Sequence, residues 1–193
     1  MSIRETLTAD DWVAAASRIV ARDGLERLAV EPLAAEMGTT KGSFYWHFSN
    51  RAALIDAVLE LWEREATRQV MSVLEARPEQ DRLPALVRVM FTQPVWEPLE
   101  WRILSTVDHP QVGPVVGRVE EARIAYVVGL LQDRGLTVAR AEARARLLYA
   151  AYLGHLRMAT QGERGLSEGA RAAFVAEVGV LVCSDSRWPG TTP

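Results

Sequence analysis

Residues 30–48 read VEPLAAEMGTTKGSFYWHF, and this stretch decides the fold of the first part of the chain. Two short helical patterns meet in it at Gly38. Pro32 falls in the first turn of the first pattern, where a missing N–H is tolerated. Leu33, Ala34 and Met37 form that helix's apolar face. Gly38 supplies the positive φ that a tight helix-to-helix turn requires. Counting Val30 as one, Ala34 is fifth, Gly38 ninth and Phe44 fifteenth. This puts a small residue where the helices touch, glycine in the turn, and an apolar residue on the second helix's inner face. The spacing predicts a helix-turn-helix whose second helix runs over about 40–48.

Working outward, Thr8 with Asp10 and Asp11 starts a preceding helix, capping free N–H groups and placing negative charge at the positive end of the dipole. Its stripe is Trp12, Ala15, Ala16, Ile19 and Val20, and Gly24 ends it. After Ser49-Asn50 a fourth helix passes Leu54, Val58, Leu61 and Trp62 towards Ala76. Further helices are predicted over about 82–93, 115–134, 138–161 and 168–183. Pro94, Pro98, Pro110 and Pro114 punctuate the segment 94–115. No segment alternates as a strand does, so the chain reads as all-α.

The 193 residues include 49% hydrophobic ones, enough to bury a sizeable core. A lone cysteine, Cys183, excludes a disulfide-stapled secreted domain. The N-terminus lacks a signal-peptide core, and no apolar run approaches the roughly 18 residues of a membrane span. The expectation is a cytoplasmic protein without membrane contact. Net charge is −3, from 22 basic and 25 acidic residues, and gives no support to nucleic-acid binding. Its distribution differs: no acidic residue stands between Glu36 and Asp56, and Lys41 (the only lysine), His47 and Arg51 fall in that gap.

The second helix of the pair carries groups suited to DNA. Lys41 can reach guanine O6/N7 or a phosphate. The hydroxyls of Thr40 and Ser43 can serve bases or phosphates, and Gly42 lets the helix start lie close to a groove floor. Tyr45 and His47 can donate to phosphates. Composition leaves a second reading open, in which Phe44, Trp46 and Phe48 are an aromatic core and DNA plays no part.

The residues IVARDGLERLAVEPLAAEMGTTKGSFYWHFSNRAALIDAVLE, with the pattern F-Y-x-H-F-x-(N/K)-(K/R)-x-x-L, resemble the DNA-binding domain of the TetR (tetracycline-repressor-like) regulators. The resemblance covers residues 8–62. It implies an N-terminal three-helix helix-turn-helix domain, 1–50, joined by a long helix to a larger helical ligand-binding and dimerisation domain, 51–193. It implies base reading by Lys41, Gly42, Ser43 and Trp46, and phosphate contact by Tyr45, His47 and Arg51. It also implies a homodimer on a palindromic double-stranded DNA operator, released by an unidentified small apolar or aromatic effector. Two positions depart from the pattern. Ala29 stands where a hydroxyl cap is common. Glu31 stands where a basic residue is common, and it can accept from cytosine N4 or repel phosphate. The alternative reading is a small-molecule-binding helical protein without DNA binding.

In the remainder, aromatic residues recur at helical spacing. Trp62, Phe91, Trp96, Trp101, Tyr126, Tyr149 and Tyr152, with His109 as a polar handle, are the candidate lining of an effector cavity; core packing is the other reading. The proline-rich segment with Trp96 and Trp101 suits a mobile wall or entrance. The last two helices read as a dimerisation pair. Leu148, Tyr152, His155 and Ala159 form one stripe, with Ala141, Ala145, Ala151 and Gly154 permitting close approach, and Ala173, Phe174, Val178, Leu181 and Val182 lie opposite. Catalytic constellations, metal-ligand spacings and phosphate loops are absent, so neither an enzyme nor a cofactor is expected.

Overall fold

The computed structural model describes residues 7–92, 97–159 and 167–183, and every described element is helical. The helices are α1 (Ala9–Asp23), α2 (Val30–Glu36), α3 (Lys41–Tyr45), α4 (Arg51–Glu63), α5 (Gln69–Glu75), α6 (Glu79–Thr92), α7 (Glu97–Leu104), α8 (Val112–Asp133), α9 (Val138–Ala159) and α10 (Glu168–Cys183). No helix among the described residues is long and apolar enough to cross a membrane. Two compact units divide the chain: Met1–Val70 with Pro94–Glu120, and Met71–Gln93 with Glu121–Pro193.

In the first unit, α1 begins with a capping box. The Thr8 hydroxyl accepts from the Asp11 N–H, and the Asp11 carboxylate accepts from the Thr8 N–H at 2.8 Å. Gly24 ends α1 at φ +92, a conformation open to glycine. The buried face of α1 is the stripe read from the sequence, and Trp12 is fully enclosed. It packs on α4 and α7. The fourth helix runs from Arg51 as far as Glu75, interrupted by a π-helical turn over Arg64–Arg68. Such a turn places one extra residue in the helix.

The proline-rich segment, expected to be a mobile wall or entrance, carries a regular helix packed into the core. Pro98 occupies the first turn of α7, where the missing N–H is harmless, and Leu99, Glu100 and Ile103 are buried as α7 lies on α1. Arg102 donates to the Arg22 carbonyl at 3.2 Å. Trp96 lies outside the described residues.

In the second unit, α6 packs on α9 and α10. Pro84 sits inside α6 and removes the donor for the Gln80 carbonyl. Arg134 donates to that carbonyl instead, at 3.3 Å. The core holds a ring cluster: Phe91 meets Tyr152, His155 and Phe174 edge-on at centroid distances of 6.1, 5.2 and 5.6 Å.

The α9 stripe expected to face a second copy is instead turned inward. Leu148, Tyr152 and His155 are buried inside the unit, as are Ala141 and Ala145, because α9 needs its large residues to cover α6 and α10. On α10, Val178 and Val182 are likewise buried. The exposed apolar stripes keep three residues of the expected face, Gly154, Ala173 and Leu181, and otherwise consist of Ala143, Leu147 and Ala150 on α9 and Ala176 and Val180 on α10.

Candidate nucleic-acid interface

The turn between α2 and α3 is built by backbone bonds. Met37 N–H donates to the Leu33 carbonyl at 3.0 Å and Thr39 N–H to Ala34 at 2.9 Å, while Gly38 adopts φ +65. This is the closing turn that Gly38 permits and a Cβ would strain. Thr40 then caps α3, its hydroxyl accepting from the Ser43 N–H at 3.3 Å. The helix is shorter than the sequence suggests. It ends at Tyr45, and a bond from Phe48 N–H to the Phe44 carbonyl at 3.0 Å carries the chain round to α4.

Phe44 fixes which way this segment faces. It is fully buried, edge-on to Trp12 at 5.4 Å and stacked with Phe48 at 5.6 Å. With Phe44 inward, Tyr45 and Trp46 must point out, and they are 51% and 88% exposed. Thr40, Lys41 and Gly42 are exposed, and Ser43 and His47 half-buried. Asn50 caps α4 by accepting from the Ala53 N–H at 2.9 Å. Seven of the eight residues expected at DNA therefore share one outward segment, Thr40 to His47.

Arg51, expected at a phosphate, has another occupation. Its Nε donates to the Leu28 carbonyl and its Nη2 to the Leu25 carbonyl at 2.7 Å, which ties the start of α4 to the loop between α1 and α2. The loop carbonyls need donors, and the guanidinium fork supplies two. Sequence reading also misses the partner of Lys41. Its Nζ lies 2.7 Å from Glu31 Oε1, across the helix-turn-helix. Each group holds the other's charge: the hydrogen bond and charge of Lys41 lower the Glu31 pKa, and those of Glu31 raise the Lys41 pKa. Opposite charges at the starts of α2 and α3 are the only sequence signal for this pair.

A sequence profile of the bacterial regulatory proteins, tetR family, matches residues 13–58. Over these residues, and these alone, the sequence is similar to that family's. The HTH-type transcriptional regulator TtgR of Pseudomonas putida is 38% identical over 48 residues, 25% of this chain. That match spans 23% of TtgR's length, about a quarter of the curated relative. Solved structures resemble the chain over nearly its whole length. Escherichia coli NemR in its reduced form aligns with a TM-score of 0.73 at 17% identity, covering 92% of this chain and 99% of NemR. A transcriptional regulator from Saccharomonospora viridis in complex with choline gives 0.72 at 17% identity, covering 92% and 96%. At that identity the likeness establishes the all-α fold, with an N-terminal helix-turn-helix domain and a larger helical part after it.

The residues expected to line an effector cavity fall in both units. Trp62, fully buried, belongs to the first-unit core, and half-buried Trp101 is on α7. His109 lies in the turn before α8, where its Nδ1 accepts from the Gln111 N–H at 3.3 Å and its carbonyl from Val112 and Gly113. Gln111 in turn donates to Asp56 at 2.7 Å, so this turn braces α4. Phe91, Tyr149 and Tyr152 sit together in the second unit. Tyr126 is there too. Its hydroxyl is enclosed without a partner among the described residues, and burial pushes its pKa up, helped by the charge of Glu75. An apolar cavity of about 10 Å³ lies between α1, α4, α7 and α8, lined by Val20, Ile55, Leu59 and Ile103 among others. That is room for one water and not for an organic effector.

Proposed function

We propose that this protein is a DNA-binding transcriptional repressor, working as a homodimer on a near-palindromic operator and released by a small apolar or aromatic effector. The outward presentation of Tyr45 and Trp46, the two residues that follow buried Phe44, carries this reading. Thr40, Lys41, Gly42, Ser43 and Trp46 reach base edges, and Tyr45 and His47 reach phosphates. Arg51 is a positioning residue in this scheme, since its two bonds set α4 against the α1–α2 loop. Two copies place their reading helices in successive major grooves, about 34–36 Å apart. The exposed stripes of α9 and α10 supply the twofold contact, as a four-helix bundle.

The effector site belongs to the second unit, around Tyr126, Phe91, Tyr149 and Tyr152. A hydroxyl enclosed without a protein partner is where a bound molecule gains a hydrogen bond that it would otherwise leave in water. The choline-bound Saccharomonospora regulator supports small-molecule control of such folds. An effector releases DNA by binding more tightly to the conformation that does not fit the operator, and DNA then weakens effector binding by the same factor.

Fluorescence anisotropy with duplexes from the gene's own upstream region, against random duplex of equal length, tests the reading. Specific binding at physiological salt should be about a thousandfold or more tighter than binding to random DNA. Equal affinity for both overturns it.

A further inference from the structure

Lys41 and Glu31 form the only pair of opposite full charges at the reading surface among the described residues. We infer that they act as one unit that reads a G·C base pair, Lys41 donating to guanine and Glu31 accepting from cytosine. This rests on the DNA-binding function proposed above.

The geometry matches the edge of the pair. Lys41 Nζ and Glu31 Oε1 lie 2.7 Å apart, a donor beside an acceptor. In the major groove a G·C pair presents the guanine O6 acceptor beside the cytosine N4 donor. These two atoms share a Watson–Crick hydrogen bond, so they are about 2.9 Å apart. The ion pair and the base-pair edge are therefore complementary dipoles of nearly equal length. Both side chains are open to a ligand, at 49% exposure for Lys41 and 72% for Glu31.

An A·T pair also offers an acceptor beside a donor, but its flanking groups are wrong. Thymine O4 is next to the C5-methyl, which crowds an ammonium. Adenine N6 is next to N7, an acceptor that repels a carboxylate. Guanine instead gives the ammonium two adjacent acceptors, O6 and N7, and cytosine N4 has no acceptor beside it. The pair thus favours G·C in one orientation.

The charge balance points the same way. A lone carboxylate beside DNA would be repelled by phosphates. Paired with Lys41, it enters the groove with no net charge. An exposed ion pair is also worth little in water, so it does not latch the helices shut against DNA.

Selection from a random duplex library, followed by sequencing, tests the assignment with wild-type protein, Glu31→Ala, Lys41→Ala and the double variant. Wild type should fix one G·C pair in each half-site. Glu31→Ala and Lys41→Ala should each relax that same position. Each should weaken binding to the wild-type site roughly 5- to 150-fold. The double variant should be little worse than either alone. Thermal melting checks that each variant folds, and Glu31→Gln, nearly isosteric, should relax the position less than alanine does. The inference is overturned if Glu31→Ala tightens binding to all duplexes alike, which is mere relief of phosphate repulsion. It is overturned too if the selected base stays fixed, or if the two variants relax different positions. A wild type that selects a palindrome while Glu31→Ala selects the same one removes this inference alone; a wild type that selects nothing removes it together with the proposed function.

Discussion

Alanine at Phe44 and at Trp46 should have opposite consequences, although the two residues are two apart in one segment. Phe44 is fully enclosed and touches the rings of Trp12, Tyr45 and Phe48 at 5.4, 5.2 and 5.6 Å. Burying about 150–200 Å² of aromatic surface at ~25 cal/mol per Å² contributes roughly 4–5 kcal/mol. Phe→Ala replacements in cores cost about 3–5 kcal/mol. Trp46 is 88% exposed, so of its roughly 250 Å² only about 30 Å² is covered, worth about 0.7 kcal/mol. Urea denaturation followed by circular dichroism reads the stability of each variant, and anisotropy on specific DNA reads binding. Phe44→Ala should lose most of the first unit's stability and all specific binding with it. Trp46→Ala should stay within about 1 kcal/mol of wild-type stability while losing specific affinity. A loss of 2 kcal/mol or more at Trp46, or a near-neutral Phe44→Ala, would mean that the helix faces the other way and would refute the reasoning.

Arg51→Ala should destabilise the first unit by about 2–4 kcal/mol, since two part-buried carbonyls lose their donors; Arg51→Lys should not rescue it, because an ammonium lacks the planar fork, and urea melts of the two variants check this. The capping box holds the Asp11 carboxyl below its ordinary value of 3.8, chiefly through the Thr8 N–H. A folded pKa below the unfolded one gives stability that is present above about pH 4 and lost as pH falls through the folded pKa; Thr8→Ala keeps the N–H and removes only the hydroxyl bond, so it should move the Asp11 titration part of the way back up in an NMR pH series and weaken that acid dependence without abolishing it. Leu147→Glu, on the exposed stripe of α9, should yield monomers by analytical ultracentrifugation and leave melting of the isolated fold little changed; a dimer that survives the charge would move the twofold contact elsewhere.

How much of this could be read beforehand depended on whether the signal was local. Thr8, Gly24, Gly38, Thr40 and Asn50 act through backbone geometry within a few residues of themselves. Each is found in the role its type suggests. Helix-turn-helix spacing works for the same reason, because Ala34, Gly38 and Phe44 meet through one short turn. Faces of long helices were less legible. On α9, periodicity shows that Leu148, Tyr152 and His155 share a side. It cannot say whether that side meets α6 or a second copy, which is a question of tertiary partners. Arg51 misled in another way. A guanidinium at a helix start suits a phosphate, but Leu25 and Leu28, more than twenty residues away, left carbonyls that only the fold brings near. The Glu31–Lys41 pair was hidden likewise, since neither residue's local spacing names the other.

An acidic chain that reads DNA must draw its selectivity from shape more than from charge. Each neutralised phosphate releases counterions, and affinity built that way is indifferent to sequence and falls steeply with salt. This chain carries −3 overall, and its single lysine spends its charge on Glu31. Arg51 spends its donors on backbone carbonyls. What remains on the outward segment is chiefly hydroxyls, an indole, a phenol and an imidazole, groups that bond weakly unless aligned. Non-specific attraction is then small, and a misaligned half-site gains little. On the proposed function, a single copy built this way would bind poorly anywhere, and two copies held at a fixed separation would convert several short-range contacts into a useful affinity. On the proposed homodimer, weak charge and twofold symmetry form one design: the first would suppress binding to the rest of the genome, and the second would restore it at sites with two matching halves.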